Sequence, residues 1–395
     1  MIGSQRGLSD RQGRTRHLVA GDCMASGNRQ IERFDFELQV PQQPYNRAVH
    51  WLALITAAAT FPLIFMGGLV TSHQAGMSVP DWPNSWGYNM FTFPPSKWVG
   101  GILFEHTHRL AGTGVGLLTV ALTIAAWATD RRRWMRWTAV GIFLAVCLQG
   151  AIGGFRVVLS IRDLAIVHGC AAQLFFCFIA GYCVTTSRFW AEGRHLPADE
   201  LPAVRKVLGL AIGAVTIILA QLVVGAIMRH SDAGLAIPDF PTSYGHLLPP
   251  MKIDSAFRQE AIHRYGLSLG LNRVTLFQIW IHFAHRVGAV LVSAAVIALS
   301  ATILRRLRAQ PAFARLGYLT LLLLATQLTL GILTVLLRKP ADIASYHVAV
   351  GSLLLVASWV IAVRAFGVVS VSADADLNRV RDTLARREKF IPLPP

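Results

Sequence analysis

Eight apolar runs set the pattern of this chain, at approximately residues 48–71, 101–129, 137–158, 164–187, 206–228, 274–304, 315–337 and 343–366. Each is close to the ~20 residues that a ~30 Å hydrocarbon core requires, so each predicts a transmembrane helix. The sixth is the least regular, because Arg286 interrupts it. Two kinds of polar connection alternate between the runs. Arg131, Arg132, Arg133 and Arg136 follow the second run, Arg188, Arg194, Arg205 and Lys206 the fourth, and Arg305, Arg306, Arg308 and Arg315 the sixth. Positive charge stays on the cytoplasmic side, which places these loops and both termini there. The opposite connections, above all 71–100 and 229–273, are larger, less basic and carry Pro, Trp and Tyr, and are expected to form ordered caps on the outer face.

An internal repeat fixes the architecture more firmly than hydropathy does. The stretch from Ala75 to Gly87 (AGMSVPDWPNSWG) matches that from Ala233 to Gly245 (AGLAIPDFPTSYG) without a gap, with identity at seven of thirteen positions. Further on, His108-Arg109 answers His285-Arg286, Gln149-x-x-x-Gly153 answers Gln327-x-x-x-Gly331, and His168 answers His347. Four helices per half is an even number, so both halves start on the same side and the repeats are parallel, related by an axis along the membrane normal. The fold class is therefore all-α: a polytopic membrane protein with eight transmembrane helices in two parallel-repeat four-helix bundles. Its expected parts are a cytoplasmic tail (1–46), an amino-terminal half (47–190), a cytoplasmic linker (191–205), a carboxy-terminal half (206–366) and a cytoplasmic tail (367–395).

Composition agrees with this picture. The chain is 53% hydrophobic and 15% charged, far from a soluble domain. A net charge of +16 would raise nucleic acid as a partner in a soluble protein, but here the arginines gather in alternate loops, which excludes that class. Cys23 lies in the first tail and Cys147, Cys170, Cys177 and Cys183 in apolar runs; with no Cys-x-x-Cys and no loop pair, neither a structural zinc site nor an outer disulfide is expected. The first tail is arginine-rich without a signal-peptide apolar core. A cytoplasmic tail is the leading reading and an organelle transit peptide the competing one, weakened by Asp10, Asp22 and the acidic residues of 32–37.

The chemistry centres on Glu105-His106-Thr107-His108-Arg109, which opens the second run, and on its altered copy His282-Phe283-Ala284-His285-Arg286. In both an ionisable residue precedes a histidine by three positions, so the two share a helix face. Counting from each histidine to the arginine ending its helix gives 23 residues for His108, 20 for His168, 20 for His285 and 17 for His347. At about 1.5 Å per residue these are climbs of roughly 25–35 Å, so all four lie near the outer surface. Facing helices then bring His108 to His168 and His285 to His347, which is how bundles hold haem iron. A lone membrane histidine is more often a packed residue than a ligand, but four at matched depth in a duplicated frame favour ligation. Glu105-x-x-His108 is also half of a di-iron carboxylate motif, but the apolar helices hold no further glutamate; zinc would want more ligands per half than two. His106, His230, His246 and His263 are expected as polar neighbours. For Arg109 and Arg286 two readings stand, pairing with haem propionates and snorkelling to headgroups. The Pro-Asp-Trp-Pro and Pro-Asp-Phe-Pro segments either cap the haem pockets or form tight turns, and residues 265–276 give no interpretable pattern.

Taken together, these residues resemble the haem A synthase family, the membrane enzymes related to the mitochondrial Cox15 and bacterial CtaA proteins. The resemblance spans roughly 48–366: two fused four-helix halves, Glu105-x-x-His108-Arg109 opening the second helix, and single histidines at 168, 285 and 347. It is to the type without an outer-loop cysteine pair, which makes thiol-based electron delivery doubtful. The resemblance implies oxidation of a methyl group of haem O to the formyl group of haem A, used by terminal oxidases. It implies that His108 and His168 hold the substrate haem, that His285 and His347 hold a cofactor haem b, and that Glu105 stands closest to the chemistry. It implies as partners the haem O substrate, the lipid bilayer, a haem O synthase, an electron-transfer protein and a second copy of the chain. The expected location is the bacterial inner membrane, with the mitochondrial inner membrane as alternative. Two other classes stay in play: a di-haem b-type cytochrome relaying electrons, and a transporter built from parallel repeats. The difference between Glu105 and His282 favours the enzyme, in which one half alone reacts.

Overall fold

The computed structural model describes residues 45–161, 163–192, 196–266 and 270–389, from 374 onward for the main chain alone. The arginine-rich tail with Cys23, the linker residue Arg194 and the last residues of the carboxy-terminal tail lie outside the described residues. Ten α-helices form among the described residues: α1 (Arg47–Ser72), α2 (Gly101–Thr129), α3 (Arg133–Val158), α4 (Leu164–Thr185), α5 (Arg188–Ala191), α6 (Leu201–His230), α7 (Ser255–Tyr265), α8 (Leu276–Arg306), α9 (Pro311–Leu336) and α10 (Ala341–Lys389). Eight of them, all but α5 and α7, are long and apolar enough to cross a membrane. β pairing is confined, among the described residues, to two isolated bridges, Ser85 with Tyr88 and Ser243 with His246.

The helix limits follow local chemistry. A capping box, in which the Thr275 and Gln278 side chains each bond the other's main chain, starts α8 at Leu276. Pro202 and Pro311 sit in first turns, where their missing N–H groups cost nothing. The apolar run at 137 begins later than α3 itself, because the Asp130 carboxylate bonds the Arg132 amide and guanidinium and lets the helix start among the arginines. Within the stretch assigned to the tail from 367, α10 continues unbroken to Lys389. After Gly367 the segment is rich in Ala, Leu, Arg and Asp and meets no proline before Pro392, so nothing stops a helix that has already been nucleated. The helix α7, in a region that gave no readable period, starts where the Asp254 side chain accepts the Phe257 N–H at 2.8 Å.

In packing, α1 touches α2 and α4, and α3 touches the same two, which closes a ring of four helices. α6 touches α8 and α10, and α9 touches the same two. Across the seam α10 lies against α1 and α4, and α4 against α6. Small residues allow the close approach: a Cβ added at Gly68 of α1 would stand 3.1 Å from the Ser345 Cβ of α10. Hydroxyls inside the helices bond the carbonyl one turn back, as Thr56 to Leu52, Thr119 to Val115 and Ser358 to Leu354, so these polar groups are matched within their own helices.

The densest packing lies at the basic end of each ring. Leu122, Met135, Ile142, Ile179 and Tyr182 are fully buried in the first, and Val204, Leu299, Ile303, Phe313 and Ile361 in the second. Between that end and the caps fewer residues are buried, while a further core of Ala233, Ile237, Tyr244, Leu271 and Ile279 lies under the second cap. No residue of α3 is fully buried between Ile142 and Gly154, none of α8 between His282 and Val292, and none of α9 between Leu324 and Val335. The four histidines sit at these levels.

The arrangement carries a topological expectation. Single cysteines placed at exposed Asn89 or Leu247, in a chain whose own cysteines are replaced by serine, should react with an impermeant maleimide added to intact cells. Cysteines at exposed Arg131 or Ala309 should react only after permeabilisation. The reverse pattern would overturn the orientation.

Candidate functional site

Among the described residues the helices bring two pairs of imidazoles together. His108 of α2 and His168 of α4 have ring centres 6.5 Å apart with planes at 81°. His285 of α8 and His347 of α10 have ring centres 6.3 Å apart with planes at 69°. A metal–imidazole bond is about 2.0–2.1 Å. Two imidazoles on opposite sides of one metal therefore place their ring centres about 6–6.5 Å apart. Both pairs meet that spacing, and no set of three His, Cys, Asp or Glu side chains able to hold an ion gathers among the described residues.

Each imidazole is held from behind by a glycine on the preceding membrane helix. A Cβ on Gly67 would lie 3.2 Å from His108 Cε1, on Gly153 2.9 Å from His168 Cε1, on Gly225 3.0 Å from His285 Cε1 and on Gly331 2.9 Å from His347 Cε1. In three of the four helices a glutamine stands one turn before that glycine. Gln149 donates to the His168 carbonyl at 2.7 Å, and Gln221 donates to the His285 carbonyl at 2.8 Å and lies 3.0 Å from His285 Nδ1. His347 Nδ1 lies 3.1 Å from the Gln327 carbonyl, an atom that only accepts. The proton of His347 is thereby assigned to Nδ1, which leaves Nε2 unprotonated; in this structure it lies 3.4 Å from the Gln327 side-chain amide, which can donate to it. On α1 the glutamine position is Leu63, and His108 Nδ1 and His168 Nδ1 have no hydrogen-bond partner. Sequence reading registered Gln149-Gly153 and Gln327-Gly331 as repeat markers; their role behind the histidines, and the matching Gln221-Gly225 and Gly67, it missed.

The caps form a duplicated turn that is pinned from below. In the first, Arg109 donates to the Asp81 and Asn84 carbonyls through one terminal nitrogen and to the Val79 carbonyl and Glu105 Oε1 through the other. In the second, Arg286 donates to the Thr242, Ile237 and Asp239 carbonyls. Both arginines thus hold the caps through main-chain carbonyls, a role that neither expectation named. Above them Asp81 accepts the amides of Trp86 and Gly87, and Asp239 those of Tyr244 and Gly245. Gly87 and Gly245 need their positive φ of 76° and 83° to complete the turn. Burial raises the Asp239 carboxyl, but the Thr242 hydroxyl and the Gly245 and Tyr244 amides outweigh it and hold it below the usual range. That contribution to the second cap is complete above a pH of about 3.9 and fades as pH falls through the lowered folded value.

Glu105 is buried beneath the first cap, with Oε1 paired to Arg109 at 2.8 Å and Oε2 accepting the Val79 N–H at 2.9 Å. His282 takes the matching place in the second, its Nδ1 3.3 Å from the Ile237 N–H. Both residues thus hold a cap; only Glu105 carries negative charge. His106 points away from the pair, 3.1 Å from Ser85 Oγ and against Phe93 and Trp98. His246 and Tyr265 line a cavity of about 310 Å³ between the second cap and α7.

The sequence profile of the COX15-CtaA family, a cytochrome oxidase assembly protein, matches residues 50–359. The chain belongs to this family. Among its COX15-CtaA relatives, the heme A synthase of Rhizorhabdus wittichii is 25% identical over 356 residues, spanning 80% of this chain and 93% of that protein. That of Shewanella oneidensis is 25% identical, spanning 77% and 93%, and that of Geobacillus kaustophilus 25% identical, spanning 76% and 86%. The matched span takes in both histidine pairs, both caps and all eight membrane helices except the far end of α10.

The backing glycines give a test within this family member. Gly153→Ala and Gly331→Ala push a Cβ to 2.9 Å from an imidazole, and should each abolish most of the low-spin haem absorbance attributable to that pair. Gly150→Ala, where a Cβ meets nothing within 4 Å, should leave the spectrum intact. Equal spectra for all three proteins would show that the rings are not fixed in this way.

Proposed function

We propose that this chain is a haem A synthase, which oxidises the methyl group of haem O to the formyl group of haem A in a bacterial inner membrane. The observation that carries the reading is the occurrence of two facing histidine pairs with the spacing of axial ligands, 6.5 Å and 6.3 Å. The names of the COX15-CtaA relatives support it. His108 and His168 are the proposed ligands of the substrate haem, and His285 and His347 those of a cofactor haem b. The fit rests on the His347 proton at Nδ1, which leaves Nε2 unprotonated, and on the small number of buried residues around each pair.

Methyl to formyl with water as the oxygen source is a four-electron oxidation that releases four protons. Addition of water with loss of two electrons gives the alcohol, a second water with loss of two more gives the hydrated aldehyde, and this loses water to the formyl group. When bound, the second haem supplies a one-electron relay toward an electron-transfer partner. The protein's own part is positional and electrostatic. His108 and His168 fix the substrate between α2 and α4, and the first cap, pinned by Arg109, closes the outer end over it. Glu105 lies one turn from His108 on the same face. Its two hydrogen bonds use one lone pair on each oxygen, which leaves a second on each to take a proton from the reacting carbon's substituent or to face positive charge there. His282, neutral and committed to Ile237, offers no such charge, so the second half serves as the relay. A haem O synthase is the proposed source of substrate.

The rival reading, a di-haem cytochrome, shares both histidine pairs and differs in product. Co-expression with a haem O synthase in cells lacking their own haem A synthase, followed by chromatography of extracted haems, separates them. The wild-type chain should yield haem A. Glu105→Gln should lower the yield by on the order of 10²–10⁴ in rate, with haem O or its alcohol accumulating and bound haem retained. His282→Ala should turn over nearly normally. No haem A from the wild type would select the cytochrome, and normal haem A from Glu105→Gln would remove that carboxylate from the reaction.

A further inference from the structure

The two arginines in the repeated motif are engaged by the caps, yet two others, at non-equivalent positions, stand beside the histidine pairs. Arg156 follows Gly153 on α3 by three residues, and Arg229 follows Gly225 on α6 by four. Each guanidinium therefore rises one turn toward the caps from a glycine that backs a histidine. Arg156 donates to the Gly76 carbonyl at the base of the first cap. Arg229 crosses the seam and donates through one nitrogen to the Gly68 carbonyl and Ser72 Oγ of α1 at 2.6 and 2.7 Å. Ser72 is in turn 3.1 Å from Ser345 Oγ, two residues before His347. The charge of Arg156 acts on His108 and His168, that of Arg229 on His347, and both act on His230 at the end of α6. Arg156 is thus fixed at the base of the first cap and Arg229 at the seam between α6 and α1, each one turn above a glycine that backs a histidine.

Neither has a carboxylate partner among the described residues. Glu105 is within electrostatic reach of Arg156 but is paired with Arg109. Asp163 and Asp232 act on His230 without an ion pair to either arginine. A guanidinium among membrane helices with only carbonyl and hydroxyl acceptors is costly, and a bidentate anion is what offsets that cost.

Resting on the haem reading above, we infer that Arg156 and Arg229 are the carboxylate-binding residues of the two sites. Arg156 grips the propionates of the haem held by His108 and His168, and Arg229 those of the haem held by His285 and His347. Each haem then turns its anionic edge toward the capped end of its own half.

The test compares protohaem with its dimethyl ester, which keeps the macrocycle and the iron but removes both carboxylates. Full-length wild type, Arg156→Gln, Arg229→Gln and the two Lys variants are made in haem-deficient cells. They are loaded with either pigment, and loss to a scavenging apoglobin is timed. A charge-assisted hydrogen bond contributes about 1.5–3 kcal/mol, so each Gln variant should lose protohaem about tenfold faster or more from its own pair. Both Lys variants should recover part of this, while loss of the ester should match wild type. Acceleration of both pigments alike would make the arginines structural braces, and no acceleration would leave them without this role; either result overturns the inference with the histidine ligands intact. A wild type that holds neither pigment as low-spin haem would instead remove the haem reading on which it rests.

Discussion

Two imidazoles that approach one centre from opposite sides must be held at a fixed spacing in a bundle whose helices could otherwise close and fill the gap. In this protein the spacing is set from behind. Each ring rests on a glycine of the preceding membrane helix, where an added Cβ would stand 2.9 to 3.2 Å from the imidazole, so the glycine backs the ring closely. The residues around the rings are correspondingly less packed than the cores at the basic end. An apolar core at one end and fewer buried residues around the rings suit the proposed function: the bundle is rigid where it is packed, and the proposed macrocycle would enter where it is not.

The caps extend this constraint to the outer face. Their repeated sequence reflects main-chain chemistry: an aspartate accepting two amides, a glycine at positive φ, and an arginine from below gathering carbonyls. These roles tolerate little substitution, which is why the thirteen-residue repeat is visible while most of the two halves have diverged. Where the halves differ, at Glu105 and His282, the shared task of holding the cap N–H is kept and the charge is changed. The asymmetry of Arg156 and Arg229 is of another kind, since the same charge stands one turn above a backing glycine on different helices of the repeat.

How far the sequence discloses this depends on the interaction concerned. The eight spans are legible because lipid imposes length and apolarity on any helix crossing it, and the family's profile covers them. The pairing of His108 with His168 and of His285 with His347 is legible in the repeat, since matched depth on facing helices leaves few alternatives. The use of Arg109 and Arg286 was not decidable, because a guanidinium bonds a carbonyl, a carboxylate or a headgroup equally well and only the folded loop shows which is present. Gly67 and Gly225 carried no signal among 33 glycines, although Gln221-x-x-x-Gly225 shares the spacing of the two motifs that were noticed. The helix α7 and the extension of α10 are set by a single cap and by the absence of a breaker, features too local to alter a hydropathy pattern.

The central claim is that each histidine pair holds one iron between two imidazoles whose planes are nearly perpendicular, at 81° and 69°. Low-temperature electron paramagnetic resonance of the oxidised, haem-loaded protein reads ligand identity and plane angle together. The account predicts low-spin signals of the strongly anisotropic, large-g type given by crossed imidazole planes, with the component from each pair removed by His168→Ala or His347→Ala. A high-spin spectrum, a rhombic low-spin spectrum typical of parallel planes, or signals that survive both substitutions would contradict it.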